Sequence, residues 1–110
     1  MEELKEICRG ISVSTGIVHG RILKLGENNG HAVTKNDILV LESSNPLYAI
    51  EVMSAGGVIM ERGGRLAHLC VIALEMGIPC ITQAEKAGEI LMEGQAIVLD
   101  AAEGVVYEQR

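Results

Sequence analysis

The sequence contains no phenylalanine and no tryptophan, and its 110 residues include only two tyrosines. A hydrophobic core must therefore be built from Ile, Val, Leu, Met and Ala. Such a core is feasible because apolar residues make up 48% of the chain. A chain of this length and composition can fold as one domain without a structural metal or a disulfide. The same apolar content excludes intrinsic disorder.

Positive charge is scarce as well. The formal net charge is −6, and the few aromatic side chains leave little that could stack on bases. Both shortages argue against a nucleic-acid partner. Long apolar runs are also missing, because none approaches the ~20 residues that a membrane-spanning helix needs. We therefore expect neither nucleic-acid binding nor membrane insertion.

The three cysteines form no Cys-x-x-Cys pair, and two of them lie inside apolar runs, where a free cysteine behaves as a small hydrophobic residue. They are Cys8, Cys70 and Cys80. An odd number of cysteines and the lack of a signal sequence predict a reducing, cytoplasmic environment.

Short apolar runs alternate with helix signals along the chain. Residues 16–25 alternate enough to form a strand, and residues 28–30 are typical of a turn. Three further runs, 37–41, 57–60 and 78–82, are typical of strands buried on both faces. Because helices are predicted between them, these three strands should be parallel neighbours joined by right-handed crossovers.

Two helices are predicted between the buried strands. The first begins at Pro46, with Asn45 or Ser44 as its cap. The second spans 67–76 and ends at Gly77, a residue that readily adopts the left-handed conformation of a helix stop. The apolar residues of the first helix recur on one helical face, at Leu47, Ile50 and Met53.

The C-terminal part should add a short helix and a hairpin. Residues 85–91 favour the helix, and residues 94–100 and 104–108 favour the two strands of the hairpin. Together with the strand at 16–25, this hairpin is expected to form a second, antiparallel layer. Residues 1–9, which are rich in charge, are predicted to be an N-terminal extension of a domain that covers 10–110.

One histidine stands in a distinctive place. His68 is predicted in the first turn of the second helix, after a loop that leaves the carboxyl end of a parallel strand, where ligands of open sheets collect. The N–H groups of a helix start attract anions. Gly63 and Gly64 allow the backbone to approach a ligand closely, and Arg62 and Arg65 add positive charge. A neutral imidazole is a nucleophile, so the pattern favours a phosphoryl-accepting histidine.

Other interpretations of this histidine remain open. Taken alone, a histidine after two glycines is more often a surface or capping residue. A metal site is not expected because His19, His31 and His68 are far apart in sequence, and Cys70 should face elsewhere on the helix.

The segment from 63 to 79 resembles the motif of a known family. The sequence is GGRLAHLCVIALEMGIP, and the matching residues are Gly63, Gly64, His68, Val71, Ile72, Ala73, Gly77, Ile78 and Pro79. This pattern is similar to that of the mobile phosphohistidine ("swivelling") domain of phosphoenolpyruvate-utilising enzymes. GISVSTGIVHGRI, DILVLESSNP and MEGQAIVLDAAEGVVY resemble its other segments.

The resemblance implies an α/β fold with three layers, β/β/α, in which a central parallel sheet lies beside a second antiparallel layer. It also implies that His68 is the phosphorylated residue, with Gly63, Gly64 and Arg65 binding the phosphate. Phosphoenolpyruvate, or ATP with magnesium, is then expected on separate partner chains, with no cofactor bound by this chain.

Five positions depart from the family pattern, and two of them, Leu69 and Cys70, stand where the family usually has Ala. Leu66 and Ala67 stand where the family has Thr and Ser, and Leu74 stands where it has Arg. A cap hydroxyl and a cation near the phosphate are therefore missing.

The leading functional hypothesis is a free-standing phosphohistidine carrier, a phosphotransferase component that needs partner chains. One alternative is a degenerate, non-catalytic swivelling domain that regulates or binds a partner. Another is a small subunit that closes over a substrate held by a different chain. The sequence indicates neither the oligomeric state nor the final substrate.

Overall fold

The computed structural model describes residues 4–25 and 32–109. The strands in these ranges are β1 (Lys5–Arg9), β2 (Ile11–Ser14), β3 (Ile17–Lys24), β4 (Asp37–Leu41), β5 (Gly57–Met60), β6 (Cys80–Thr82), β7 (Ala96–Asp100) and β8 (Val105–Glu108). The helical segments are a 3-10 turn (Pro46–Tyr48), α1 (Ala49–Ser54), α2 (His68–Met76) and α3 (Ala87–Ile90). The turn predicted at 28–30 and the residue His31 lie outside the described ranges.

The predicted parallel strands are confirmed. Strand β4 pairs in parallel with β3 and β5, and β5 pairs in parallel with β6. The last of these strands begins at Cys80 rather than at residue 78. Two features explain the later start. Pro79 has no N–H to donate to a strand ladder, and the N–H of Ile78 instead donates to the carbonyl of Ala73 at the end of α2, at 2.9 Å.

The antiparallel part is confirmed as well. Strands β7 and β8 form the predicted hairpin, and β7 also pairs antiparallel with β3. Strand β3 therefore joins the two parts, because one of its edges pairs with the parallel strands and the other pairs with the hairpin. The short helix predicted at 85–91 is present as α3.

The sheet curves until its two edges come near each other. The strand order is β1-β8-β7-β3-β4-β5-β6-β2, so β1 and β2 lie at opposite edges although only Gly10 separates them in sequence. The N–H of Gly10 donates to the carbonyl of Gly104 at 2.8 Å. A side chain at position 10 would collide with the carbonyl oxygen of Thr82. The chain therefore passes from one edge of the sheet to the other at Gly10.

Two apolar clusters explain the layers. The first lies between the helices and one face of the parallel strands: Val13, Leu23, Leu39, Leu41, Val52, Ala55, Val58, Met60, Leu69, Cys70, Ala73, Ile78 and Cys80. The second lies between the parallel and antiparallel strands and is closed by α3: Ile22, Ile38, Val40, Ile59, Ile81, Ala84, Ala87, Leu91, Ile97, Leu99, Ala101 and Val106. Neighbouring residues of β4 alternate between the clusters, as strand geometry requires. The fold is thus the expected β/β/α arrangement.

The N-terminal residues are more than the extension predicted for 1–9. Lys5–Arg9 forms β1, which pairs antiparallel with β8. The side chains of Ile7 and Cys8 pack against the second cluster. The many charges of this segment suggested a detached terminus, but in an edge strand such charges lie on the solvent side.

The apolar face predicted for the first helix does not point into the core. Leu47 and Ile50 are 83% and 70% exposed, whereas Val52 on the other side of α1 is fully buried. Leu47 and Ile50 share a helical face, as the periodicity predicted. The packing contacts are made by smaller residues on the opposite face. In the part of the chain that the structure describes, no helix has the length and apolar character needed to cross a bilayer.

Candidate functional site

Helix α2 begins at His68 and presents its imidazole to solvent. The preceding residue, Ala67, is the N-cap, and its carbonyl accepts the first helical hydrogen bond from Val71 at 3.0 Å. At the other end Gly77 adopts the predicted left-handed conformation, with a φ of 71°. The imidazole is exposed because its neighbours Leu69 and Cys70 fill the buried face of the first turn. The accessibility expected for His68 is therefore present.

The loop that contains Gly63 and Gly64 is held by hydrogen bonds to its two glycine carbonyls. Gly63 has a φ of +119°, which an L side chain rarely adopts. Its carbonyl accepts a hydrogen bond from the buried hydroxyl of Thr82 at 2.8 Å. The carbonyl of Gly64 accepts from the N–H of Ala67 at 3.0 Å. A Cβ atom at Gly64 would meet nothing within 4 Å, so packing does not require glycine there.

The loop after β4 contacts the start of α2. The hydroxyl oxygen of Ser44 accepts a hydrogen bond from the N–H of Leu69 at 3.0 Å. The loops that follow β4 and β5 also contact each other, because the N–H of Arg62 donates to the carbonyl of Glu42 at 3.1 Å. The sequence offered Ser44 or Asn45 as the cap of the first helix, and Asn45 fills that role by accepting from the N–H of Leu47 at 3.0 Å.

The predicted phosphate-binding residues do not share one cavity. Gly63 lines a cavity of about 360 Å³ together with Arg62, Gln83 and the carboxylates of Glu61 and Glu85. Arg65 lines another, of about 340 Å³, whose other walls are Val13, Leu66 and Leu74. Gly63 and Arg65 therefore line different cavities.

The two arginines of the loop are not equivalent. Arg62 lies 3.5 Å from Glu42 in an ion pair whose two side chains are both largely exposed. Among the described residues, Arg65 makes no ion pair. Since an exposed pair partly cancels the charge of Arg62, Arg65 is the cation of this loop that remains free for an anion.

Apolar side chains stand beside the histidine helix. Leu66 is 89% exposed and Leu74 is 56% exposed. Both line the same cavity as Arg65. Exposure of these apolar side chains to water is unfavourable in free energy. Their presence also makes the surroundings of a nearby charged group less polar.

The cysteines near the helix belong to the core. Cys70 and Cys80 are fully buried, so Cys70 points away from His68, as helix geometry predicted. The neighbouring Cys70 thiol, together with burial, raises the pKa of the Cys80 thiol, which donates to the carbonyl of Ile81 at 3.8 Å. Within the described ranges, no group of three His, Cys, Asp or Glu side chains is placed to hold a metal ion.

Comparison with known proteins decides the family. A family model for the mobile domain of PEP-utilising enzymes matches residues 33–104. The chain belongs to this mobile-domain family. The match includes β4 to β7, α2 and His68, and therefore the whole of the site described above.

Relatives of this mobile domain include much longer proteins. The chain is 30% identical over 109 residues to the phosphoenolpyruvate synthase of Pyrococcus furiosus. The aligned region covers 98% of this chain and 13% of that protein. The chain is 32% identical over 105 residues to a probable phosphoenolpyruvate synthase of Methanothermobacter thermautotrophicus, covering 93% of this chain and 15% of that protein. The chain therefore spans only a small part of these curated relatives.

A solved structure shares the fold of the mobile domain. The crystal structure of holo aconitase X from Thermococcus kodakaraensis matches with a TM-score of 0.69 and 14% sequence identity, over 94% of this chain and 98% of that one. At this identity the likeness concerns the fold alone.

Proposed function

We propose that this mobile domain carries a phosphoryl group on His68 between partner proteins. The observation that carries the proposal is the exposed imidazole on the first residue of α2, at the carboxyl edge of the parallel strands. At such an edge a helix start offers N–H groups and positive potential to an anion. Because the imidazole is exposed, it could enter the active site of a donor protein and then that of an acceptor protein.

The transfer needs two displacements at phosphorus. In the first, an imidazole nitrogen of His68 forms an N–P bond with its lone pair, while the P–O bond of the donor breaks and its oxygen keeps the electron pair. In the second, an acceptor oxygen attacks phosphorus and the N–P bond breaks, which returns the neutral imidazole. Gly64 would give the phosphoryl group room at the backbone, and the free guanidinium of Arg65 would offset its negative charge.

The donor and acceptor must be bound elsewhere. ATP with magnesium, or phosphoenolpyruvate, would be held by separate ATP-binding and phosphoenolpyruvate-binding chains. The similarity to a short part of phosphoenolpyruvate synthases supports this division of labour.

A labelling experiment tests the proposal. The domain is incubated with ³²P-phosphoenolpyruvate, or with labelled ATP and Mg²⁺, plus the isolated ATP-binding and phosphoenolpyruvate-binding parts of a phosphoenolpyruvate synthase. We expect an acid-labile, base-stable label in the unmodified chain and in His19→Ala, and none in His68→Ala. His19 is a matched control because it is also an exposed histidine, on β3. Label that survives in His68→Ala, or no label from either donor, would refute the carrier function.

A second function is favoured by the apolar surface beside the histidine. Leu66 and Leu74 add exposed apolar groups to the surface on which His68 lies, and an apolar surface disfavours a doubly charged phosphohistidine by desolvation. A non-catalytic domain that binds or regulates a partner would meet no such cost. This alternative predicts that the partner chains bind the unmodified domain but leave it unlabelled. It also predicts that the triple change Leu66→Thr, Ala67→Ser and Leu74→Arg introduces labelling.

A further inference from the structure

The start of α2 lacks a cap from its own sequence. Ala67 occupies the N-cap position and has no side-chain oxygen, and no acidic residue lies in the first turn. An N-cap side chain ordinarily accepts a hydrogen bond from the second or third N–H of the helix. Here the second N–H, that of Leu69, donates to Ser44 at 3.0 Å. A serine from the loop after β4 thus replaces the missing local cap.

The loop that carries Ser44 is itself fixed. The next residue, Asn45, accepts the N–H of Leu47 with its side chain at 3.0 Å and the N–H of Tyr48 with its carbonyl at 3.0 Å. Tyr48 is half-buried and packs against the same cluster as Leu69. Two consecutive residues therefore cap two different elements. The backbone next to Ser44 is therefore held by hydrogen bonds of its own, and the Ser44 hydroxyl is bonded to Leu69.

The segment that presents His68 is held at both ends by hydroxyl groups from distant parts of the chain, one in a strand and one in a loop. At one end Thr82, the last residue of β6, donates to the carbonyl of Gly63 at 2.8 Å. At the other end Ser44 binds Leu69, the residue next to the histidine. The imidazole itself is exposed, so its direction depends on the backbone of the first turn. Helix starts fray when their N–H groups lack partners.

We propose that Ser44 is the positioning residue for His68, acting through the N–H of Leu69. By capping α2 from the loop after β4, it holds the first turn in the geometry that directs the imidazole toward an incoming phosphoryl group. The effect of Ser44 on phosphoryl transfer rests on the proposed carrier function. Its capping of α2 does not depend on that function. A small misplacement of a reacting group can cost a large factor in rate.

The test compares Ser44→Ala with Ser44→Thr, which keeps the hydroxyl, and with Ser54→Ala as a matched control on α1. Three quantities are measured: hydrogen exchange of the Leu69 amide by NMR, ¹³C relaxation of the His68 ring, and the rate of phosphorylation with its kcat and KM separated. For Ser44→Ala we expect exchange at Leu69 to speed up about tenfold and the ring to become more mobile. We expect kcat to fall about tenfold with KM unchanged, and the melting temperature to fall by about 4 °C.

A rescue variant separates capping from other effects of the substitution. Adding Ala67→Ser to Ser44→Ala supplies a local cap and should restore both the exchange rate and kcat. Unchanged exchange at Leu69 in Ser44→Ala would overturn the proposal. A lowered melting temperature with normal kcat and normal ring relaxation would also overturn it, since Ser44 would then be only a stabilising cap. If no donor labels the unmodified chain, the carrier function fails, and amide exchange with ring relaxation still decides the role of Ser44.

Discussion

The hydroxyl of Thr82 donates a hydrogen bond of 2.8 Å to the carbonyl oxygen of Gly63. It connects the end of β6 to the glycine loop that precedes His68, and Thr82 is fully buried. Thr82→Val keeps the shape of the side chain but leaves that carbonyl without its partner. We expect a loss of about 1–3 kcal/mol in the free energy of unfolding, measured by urea denaturation. Thr82→Ser keeps the hydroxyl and should lose clearly less; equal losses in both variants would mean that the hydrogen bond contributes nothing.

The two glycines of the loop should respond differently to alanine. Gly63→Ala forces a side chain onto a residue with a φ of +119°, so it should cost about 1–3 kcal/mol of stability. In Gly64→Ala the new Cβ meets nothing within 4 Å, so the melting temperature should stay unchanged while phosphorylation of His68 falls. Thermal melts and the labelling assay measure the two effects. Normal labelling in a stable Gly64→Ala variant would remove Gly64 from the phosphate site.

Stability should fall between pH 9 and pH 11 because of Cys8. Burial, together with the charge of Glu6, raises the pKa of this thiol from 9.0 to about 11. In that interval the unfolded chain releases the thiol proton while the folded chain keeps it, so a rise in pH favours unfolding. Below pH 9 both states hold the proton, and Cys8 adds no pH dependence.

Comparison with Cys8→Ala isolates this effect from every other contribution to the pH dependence. The free energy of unfolding of the unmodified chain should fall more steeply with pH than that of the variant. Parallel curves between pH 9 and pH 11 would show that Cys8 titrates normally in the folded state.

Removal of residues 1–9 should destabilise the domain. The deletion takes away β1, its pairing with β8, and the partly buried side chains of Ile7 and Cys8. Lost apolar burial of this size corresponds to about 2 kcal/mol, or a fall in melting temperature of about 8 °C. The unmodified chain is the reference, and an unchanged melting temperature after the deletion would mean that β1 contributes no stability.

Most of the fold could be predicted because its signals are local. The runs at 37–41 and 57–60 became β4 and β5 with the predicted bounds, and Gly77 ended α2 as expected. A parallel pair requires a crossover, and the helix signals between the runs supplied it. These features depend on residues close together in sequence.

What sequence reasoning missed depends on contacts between distant segments. Ser44 and Leu69 are 25 residues apart. The parallel strand topology brings their segments to one edge of the sheet, but neither local pattern indicates which atoms form the hydrogen bond. Strand β2 was not predicted either, since its four residues include two serines and it pairs with β6 far along the chain. The exposed face of α1 was misjudged because periodicity shows which residues share a side of a helix, and tertiary packing decides which side is buried.

The pairing of β1 with β8 places Lys5 opposite Glu108. The two strands run antiparallel, so the chain enters and leaves the domain at neighbouring points on one edge of the sheet. A longer polypeptide joined to both ends would hold the domain by a narrow two-stranded neck. A body attached through such a neck can turn as one rigid unit about a single hinge, and a swing of this kind would carry His68 along an arc without any change inside the domain.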